Sequence, residues 1–539
     1  MNNRLLPIAV ALGVAATSAY AQRPARVPAH RPDLVVLITV DQMRPDYFTR
    51  FLPQLTGGLG RLYRGGSVFT NAFQDHAITE TAPGHSVIGS GRFPVHTGIA
   101  MNSAGVNDST EALVRAPGLG ASPKRFLGTT LTDWIRATDP QSRSLSVSRK
   151  DRGAILPIGK SKSSVYWYAP NGTFTTSRYY ADSLPNWLNV FNAERRPQSF
   201  VGKTWNPILP GSAYSEPDSM KIENGGRDIA FPHVMTSDTT RELADLPSFP
   251  WMDQITLEAA LAGVRAMKLG AGPHTDVLAI SLSTTDAIGH AFGPDSKEQH
   301  DQILRLDRSL GAFLDSLYAI RDPRTVVLAL TADHAVAPYP EIHDGRDNNA
   351  GATHVELGPI VQAVRTSLAS AGVPRSAFTF GDGVLTVDRN ALATAHVNAD
   401  SLIGAFRATI LRVPGVRRAD RIAELEHADT VHDDIARRWL HMFDSDSVAA
   451  LVVTLTPYSY WGRGGSAEHG SPYDYDAHVP LIFYGAPFKP GKYAERALVA
   501  DIAPTLARVV GVRSLEKTDG VALTVELKQR STERSTAVR

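Results

Sequence analysis

LVVLITVD, residues 34–41, decides the fold. Leu34 to Ile38 and Val40 are aliphatic and Thr39 is β-branched, with no polar residue alternating through the run. Such a stretch suits a strand buried on both faces, the kind found inside a parallel sheet. Similar runs recur outward along the chain: DVLAISL at 276–282, TVVLAL at 325–330 and PLIFY at 480–484. Helical periodicity lies beside them at 255–268, 298–320 and 502–510. Buried strands alternating with helices predict an α/β fold with a largely parallel central sheet flanked by helices.

In open α/β sheets, ligands gather beyond the carboxyl ends of the strands. Three of the four predicted strands are followed there by metal-binding residue types, and the last is preceded by one. Asp41 ends the first run, the second leads to Asp286-Ala-Ile-Gly-His290, the third to Asp333-His334, and His469-Gly470 precedes the fourth. Any one Asp after a strand is ordinarily a turn or cap residue; the recurrence after strand upon strand points to an oxygen and nitrogen ligand set for Zn²⁺ or a similar ion. Asp286 and His290, four apart, share one face of a helical turn. A second element, Thr79-Glu-Thr81-Ala-Pro83-Gly-His85, reads as an N-cap at Thr81 followed by Pro83 in the first helical turn and small residues that permit close packing. A hydroxyl at that position meets free N–H groups and the positive end of a helix dipole, a setting for a nucleophile beside an anionic substrate.

The chain has 539 residues, 55 Lys+Arg and 54 Asp+Glu, no cysteine, and 43% hydrophobic residues, a globular composition. Lack of cysteine excludes disulfides, thiolate metal sites and Cys nucleophiles. Residues 1–21 read as a secretory signal peptide: Arg4, an apolar run to Ala16, then Ala19-Tyr20-Ala21 before the cleavage point. That run is too short to span a bilayer, so the expected location is periplasmic or secreted, with no integral membrane segment in the mature protein. The leader holds one basic residue and no acid, which leaves the mature chain with a net charge of 0 and argues against coating nucleic acid. A linker follows at 22–31, then a catalytic domain over 32–525 with insertions at about 155–250 and 335–465, then a flexible tail at 526–539. No internal repeat is visible.

Asp41, the T-x-P-x-H at 81–85, the D-x-x-x-H at 286–290, Asp333-His334 and His469-Gly470, in this order, resemble the alkaline phosphatase superfamily. The branch they resemble is the type I phosphodiesterase and nucleotide pyrophosphatase group, with a Thr nucleophile. The resemblance implies that Asp286, His290 and His469 hold one Zn²⁺, and that Asp41, Asp333, His334 and the Thr81 oxygen hold a second. Asn102, and Lys150 with Arg152 in the Ser148-Arg-Lys-Asp-Arg152 turn, are similar to the phosphate-contacting residues of the phosphate-irrepressible, Thr-nucleophile alkaline phosphatases. The arginine of the Ser-nucleophile enzymes is absent from T-A-P-G-H, so the monoesterase reading rests on Lys150 and Arg152.

Charge arithmetic favours the same reading. Two Zn²⁺ against Asp41, Asp286, Asp333 and a Thr81 alkoxide give a neutral core, and a monoester dianion then matches Lys150 plus Arg152. The implied reaction is in-line attack by Thr81 on a small-molecule phosphate ester, a phospho-threonine intermediate and its hydrolysis. A phosphodiesterase of the same fold is the alternative, followed by a phosphoryl transferase and a catalytically dead metal- or phosphate-binding protein.

Overall fold

Strand β1 (Leu34–Val40) is buried along its whole length in the computed structural model, which describes residues 31–238, 242–343 and 351–524. The leader at 1–21, the linker up to residue 30 and the tail at 526–539 lie outside the described residues. Burying a Val, Leu or Ile side chain contributes ~1.5–3 kcal/mol over leaving it in water, so a seven-residue run of this kind is driven to the centre of a sheet. That is where it lies. Among the described residues the sheet has nine strands: β1, β2 (Ser67–Phe73), β3 (Ser144–Ser148), β4 (Ser164–Tyr168), β5 (Phe174–Thr175), β6 (Asp276–Leu282), β7 (Val326–Thr331), β8 (Leu481–Tyr484) and β9 (Gly491–Leu498). Their order is β9-β2-β8-β7-β1-β6-β3-β4-β5. Only β8 and β5 run antiparallel to their neighbours.

Register positions the site. Leu34 lies opposite both Asp276 and Val326, and Thr39 opposite both Ser281 and Thr331. The three central parallel strands therefore end level, and the residues after them emerge along one edge. The helices that matter here are α1 (Thr81–Ser90), α2 (Asp151–Ile155), α3 (Trp251–Met267), α4 (Thr284–Phe292), α5 (Lys297–Tyr318) and α6 (Ile502–Val510). Helix α3 packs on β3 and β6, while α1 packs on α2 and α6.

The expected insertions differ from the structure in two ways. Within 155–250, Ser164–Tyr168 and Phe174–Thr175 are strands of the central sheet, so the excursion begins after residue 175. The Tyr166-Trp167-Tyr168 run is buried, and aromatic side chains suit a pleated strand packed near a sheet edge. The remainder is tied down by Trp205, whose Nε1 donates to Asp301 Oδ2 on α5 at 2.7 Å. The 335–465 stretch, expected as an insertion, holds a four-stranded antiparallel sheet in the order Phe378–Gly381, Val384–Val387, Ala449–Leu455, Val416–Arg421. Phe378, Leu385, Phe406 and Leu451 form part of its own core. It is joined to the large sheet through Asp75, just past β2, which is 3% exposed and accepts hydrogen bonds from Arg437, Arg438 and Arg496.

Candidate active site

The level strand ends deliver Asp41 directly after β1, Asp333 and His334 after β7, and Asp286 with His290 on α4 after β6. Thr81 is the first residue of α1 rather than its cap, which is Glu80. Helix α1 reaches the strand ends because Gly84 packs on the main chain of Asp333: a Cβ there would collide with the Asp333 carbonyl. His85, fully buried one turn on, is held by the Thr81 carbonyl at 2.9 Å from Nδ1 and by Ser281 Oγ at 2.9 Å from Nε2. Its Nδ1 also lies 3.1 Å from Asp333 Oδ2.

Lys150 enters the cluster from the turn before α2. Its Nζ is 2.6 Å from Asp41 Oδ2, 2.7 Å from Asp286 Oδ2 and 3.1 Å from Thr81 Oγ1. The Asp41 contact has ion-pair distance without hydrogen-bond geometry, so that oxygen keeps no hydrogen-bond partner. His334 Nε2 stands 3.4 Å from Asp41 Oδ1, and His290 Nε2 stands 3.3 Å from Asp286 Oδ1. The His334 and His469 rings stack at 3.6 Å. Backbone carbonyls fix the rings: His290 Nδ1 is 2.5 Å from Ala467 O, His334 Nδ1 2.9 Å from Ala335 O, and His469 Nδ1 2.7 Å from Thr79 O. Each Nε2 is thereby turned toward the carboxylates, the orientation a metal-ligating imidazole takes.

The electrostatics follow from burial and these partners. Burial, and for Asp41 also the neighbouring Asp286, would raise both carboxyls, but Lys150, with His334 on Asp41 and His290 on Asp286, holds both well below the usual carboxylate range. His334 is opposed by burial, yet Asp333 and Asp41 push it up to about 9. Burial together with His334 and His290 drives His469 down well below the ordinary imidazole value.

Two groups converge closely enough to share an ion each: Asp41/Asp333/His334, and Asp286/His334/His469. The donors suit a divalent ion. Asp41 Oδ1 and Oδ2, Asp333 Oδ2 and His334 Nε2 are buried without hydrogen-bond partners, and buried polar atoms ordinarily have one. His334 stands in both compact groups, and His290 flanks Asp286 beside the second rather than within it.

Of the expected phosphate-binding residues, Asn102 and Lys150 come to Thr81. Asn102 Oδ1 accepts from the Ala82 N–H at 2.9 Å, and the Asn102 N–H donates to Glu80 Oε2 at 2.7 Å, leaving the Asn102 amide nitrogen as its donor. Arg152 is half-buried; its own neighbour Asp151 is 3.7 Å away and its buried Nε has no partner. Three residues escaped the sequence reading. Gln42, at φ +65°, donates from its backbone to Asp333 Oδ1 and from Nε2 to Asp286 Oδ1, both at 3.2 Å, and so spans the two groups. Arg149 Nη2 lies 3.8 Å from Asp286 Oδ2. Glu80 orients Asn102. Nothing in a Q after a strand-end Asp announces such a role; the R beside Lys150 and the E beside Thr81 were visible only as neighbours.

The chain matches the family model described as Type I phosphodiesterase / nucleotide pyrophosphatase over residues 35–364. It is 32% identical over 522 residues to alkaline phosphatase PhoV of Synechococcus elongatus, covering 92% of this chain and 93% of that one. To alkaline phosphatase PafA of Elizabethkingia meningoseptica it is 28% identical over 520 residues, covering 92% and 94%. A crystal structure of a PafA variant superimposes with a TM-score of 0.85 at 26% identity, over 94% of this chain and all of the other.

Proposed function

The chain belongs to the type I phosphodiesterase / nucleotide pyrophosphatase family, within the alkaline phosphatase superfamily, and from that premise we propose a zinc-dependent alkaline phosphatase that works through a phospho-threonine at Thr81. That it is a phosphomonoesterase follows from relatives named alkaline phosphatase along nearly the whole chain. The observation carrying the finer reading is the meeting of Thr81 Oγ1, Asp41 and Asp286 on one ammonium, Lys150 Nζ, at 3.1, 2.6 and 2.7 Å.

Asp286, His290 and His469 would hold one Zn²⁺ and Asp41, Asp333, His334 and Thr81 the other. Such ions, when bound, lower the pKa of an attacking hydroxyl and offset charge on a departing oxygen. The chain's own groups do the rest. Thr81 stands at the N-terminus of α1, where the positive end of the helix dipole favours an anionic oxygen. Asn102, bonded to the Ala82 N–H beside Thr81, and Lys150 Nζ, 3.1 Å from Thr81 Oγ1, would contact the phosphoryl oxygens, and Arg152, with its Nε unpartnered, is the next cation along the same turn. Gln42 steadies Asp333 and Asp286 together. The leader read at residues 1–21 supports a periplasmic or secreted location, and no described helix is long and apolar enough to cross a membrane.

Steady-state kinetics on one aryl phosphate monoester and one aryl diester, before and after chelation and with Zn²⁺ restored, tests the reading. Monoester turnover above diester turnover, lost with the chelator and regained with Zn²⁺, is expected. Diester preference would move the assignment to the phosphodiesterase branch.

A further inference from the structure

A cavity of about 150 Å³ opens beside the catalytic cluster, between the inserted sheet and the segment 468–476, with His469 in its wall. Its lining is acidic and aromatic: Glu80, Asp382, Glu468 and Asp476 stand with Trp461 and Tyr475, and neither lysine nor arginine lines it. Asp476 is buried, and its Oδ1 has no hydrogen-bond partner. Asp382 comes from the inserted sheet. It occupies the two-residue turn between Phe378–Gly381 and Val384–Val387, with Asp382 at φ +51° and Gly383 at φ +77°, the Asp-Gly geometry of a tight hairpin. The insertion thus projects a carboxylate to the rim of the site, and Trp461, packed against Phe380 at 5.7 Å, stands behind it.

The position of the cavity gives it a role, an argument that rests on the phosphatase reading above. In-line attack by Thr81 expels the ester oxygen on the side away from Thr81. Of the two candidate ligand sets, the one without Thr81 includes His469, the residue shared with the cavity wall. The departing group therefore points into the cavity. At 150 Å³ the cavity is about half the roughly 300 Å³ at which pockets for drug-sized ligands begin, which suits a short headgroup better than a nucleoside. Carboxylates joined to aromatic faces attract ammonium groups through charge and through the ring quadrupole.

We infer that this cavity binds the leaving group of the substrate and selects short alcohols that carry an ammonium group, making phosphorylated aminoalcohols the preferred monoesters. The bond broken is the P–O bond to the aminoalcohol. Its oxygen leaves with the electron pair and takes a proton from water, and water then returns phospho-threonine to threonine and inorganic phosphate.

The test compares kcat/KM for phosphocholine and for 3,3-dimethylbutyl phosphate, its uncharged isostere, in the Zn²⁺-loaded wild type and in Asp382→Asn. Asn tolerates the left-handed turn position, and Asp382 touches none of the candidate metal ligands. The intrinsic difference between the two alcohols cancels when the ratio is compared between proteins. The phosphocholine-to-isostere ratio should fall about tenfold in the variant, equivalent to ~1.4 kcal/mol. Turnover of both esters at the same ratio in the two proteins overturns the cavity assignment and leaves the phosphatase reading standing. Absence of turnover on either ester and on an aryl phosphate would overturn the phosphatase reading, and this inference with it.

Discussion

Lys150→Met removes the ammonium from between Asp41 and Asp286 while keeping an aliphatic stem of similar length. At 2.6 and 2.7 Å each attraction is gross ~6 kcal/mol at an effective dielectric of ~20, and most of it is offset by desolvation and by repulsion between the two acids. Removing one partner of such a buried cluster leaves a net loss of about 3–5 kcal/mol. An unfolding entropy of ~2.1 cal/mol/K per residue over the roughly 480 described residues is ~1 kcal/mol/K, so Tm should fall by ~3–5 °C. That deficit belongs to the protein in chelator. With Zn²⁺ supplied, divalent charge balances the same carboxylates and the deficit should shrink to about 1 °C, while monoester kcat/KM still falls. Thermal unfolding of wild type and variant by circular dichroism, in EDTA and in Zn²⁺ at one scan rate, measures both arms. An equal Tm loss in the two conditions would show that Lys150 supports packing alone, and no loss in EDTA would show that it does not balance the carboxylates.

Three further outcomes are expected. Thr81→Ala should lower monoester turnover by several powers of ten with an unchanged melting curve, and Thr81→Ser should retain part of the activity; near-normal kcat in the Ala variant refutes a nucleophilic role. Burial pushes the Asp476 carboxyl up to about 7 from 3.8, so between those values the folded chain holds a proton the unfolded chain releases, and stability falls as pH rises through that window. Asp476→Asn should flatten that part of the Tm-against-pH profile, since Asn Oδ1 still accepts from Ser471, and an unaltered slope would assign it to other groups. Asp75→Asn should cost about 3 kcal/mol in denaturant unfolding, because Arg437 and the fully buried Arg438 lose their shared anion; a loss below about 1 kcal/mol would mean the small sheet is anchored by its apolar contacts.

The centre of the fold was legible and its periphery was not, for a physical reason. Strands β1, β6 and β7 are buried on both faces, so their composition alone declares them, and the candidate ligands could be found as whatever followed. Strand Val416–Arg421, VRRADR, has four charged residues in six and only Ala419 fully buried, so no apolar run marks it. The Asp382-Gly383 hairpin turn carried a readable signal, but its flanking strands are four residues each and lie inside a long excursion. Asn102 and Lys150 were found by likeness to a family pattern. The partners that orient them, Glu80 on Asn102 and Gln42 across both carboxylate groups, depend on backbone geometry that no spacing in the sequence encodes.

The contact of Gly84 with Asp333 sets the reference from which the site is dimensioned. Helix α1 carries the proposed nucleophile and the loop after β7 carries two candidate ligands, and they meet main chain on main chain. Rotamer exchange, which moves side chains within picoseconds to nanoseconds, cannot alter the separation of these two supports. The alignment an in-line displacement requires is thus held in the polypeptide scaffold before any substrate arrives, and catalysis on such a frame needs little reorganisation at the moment of reaction.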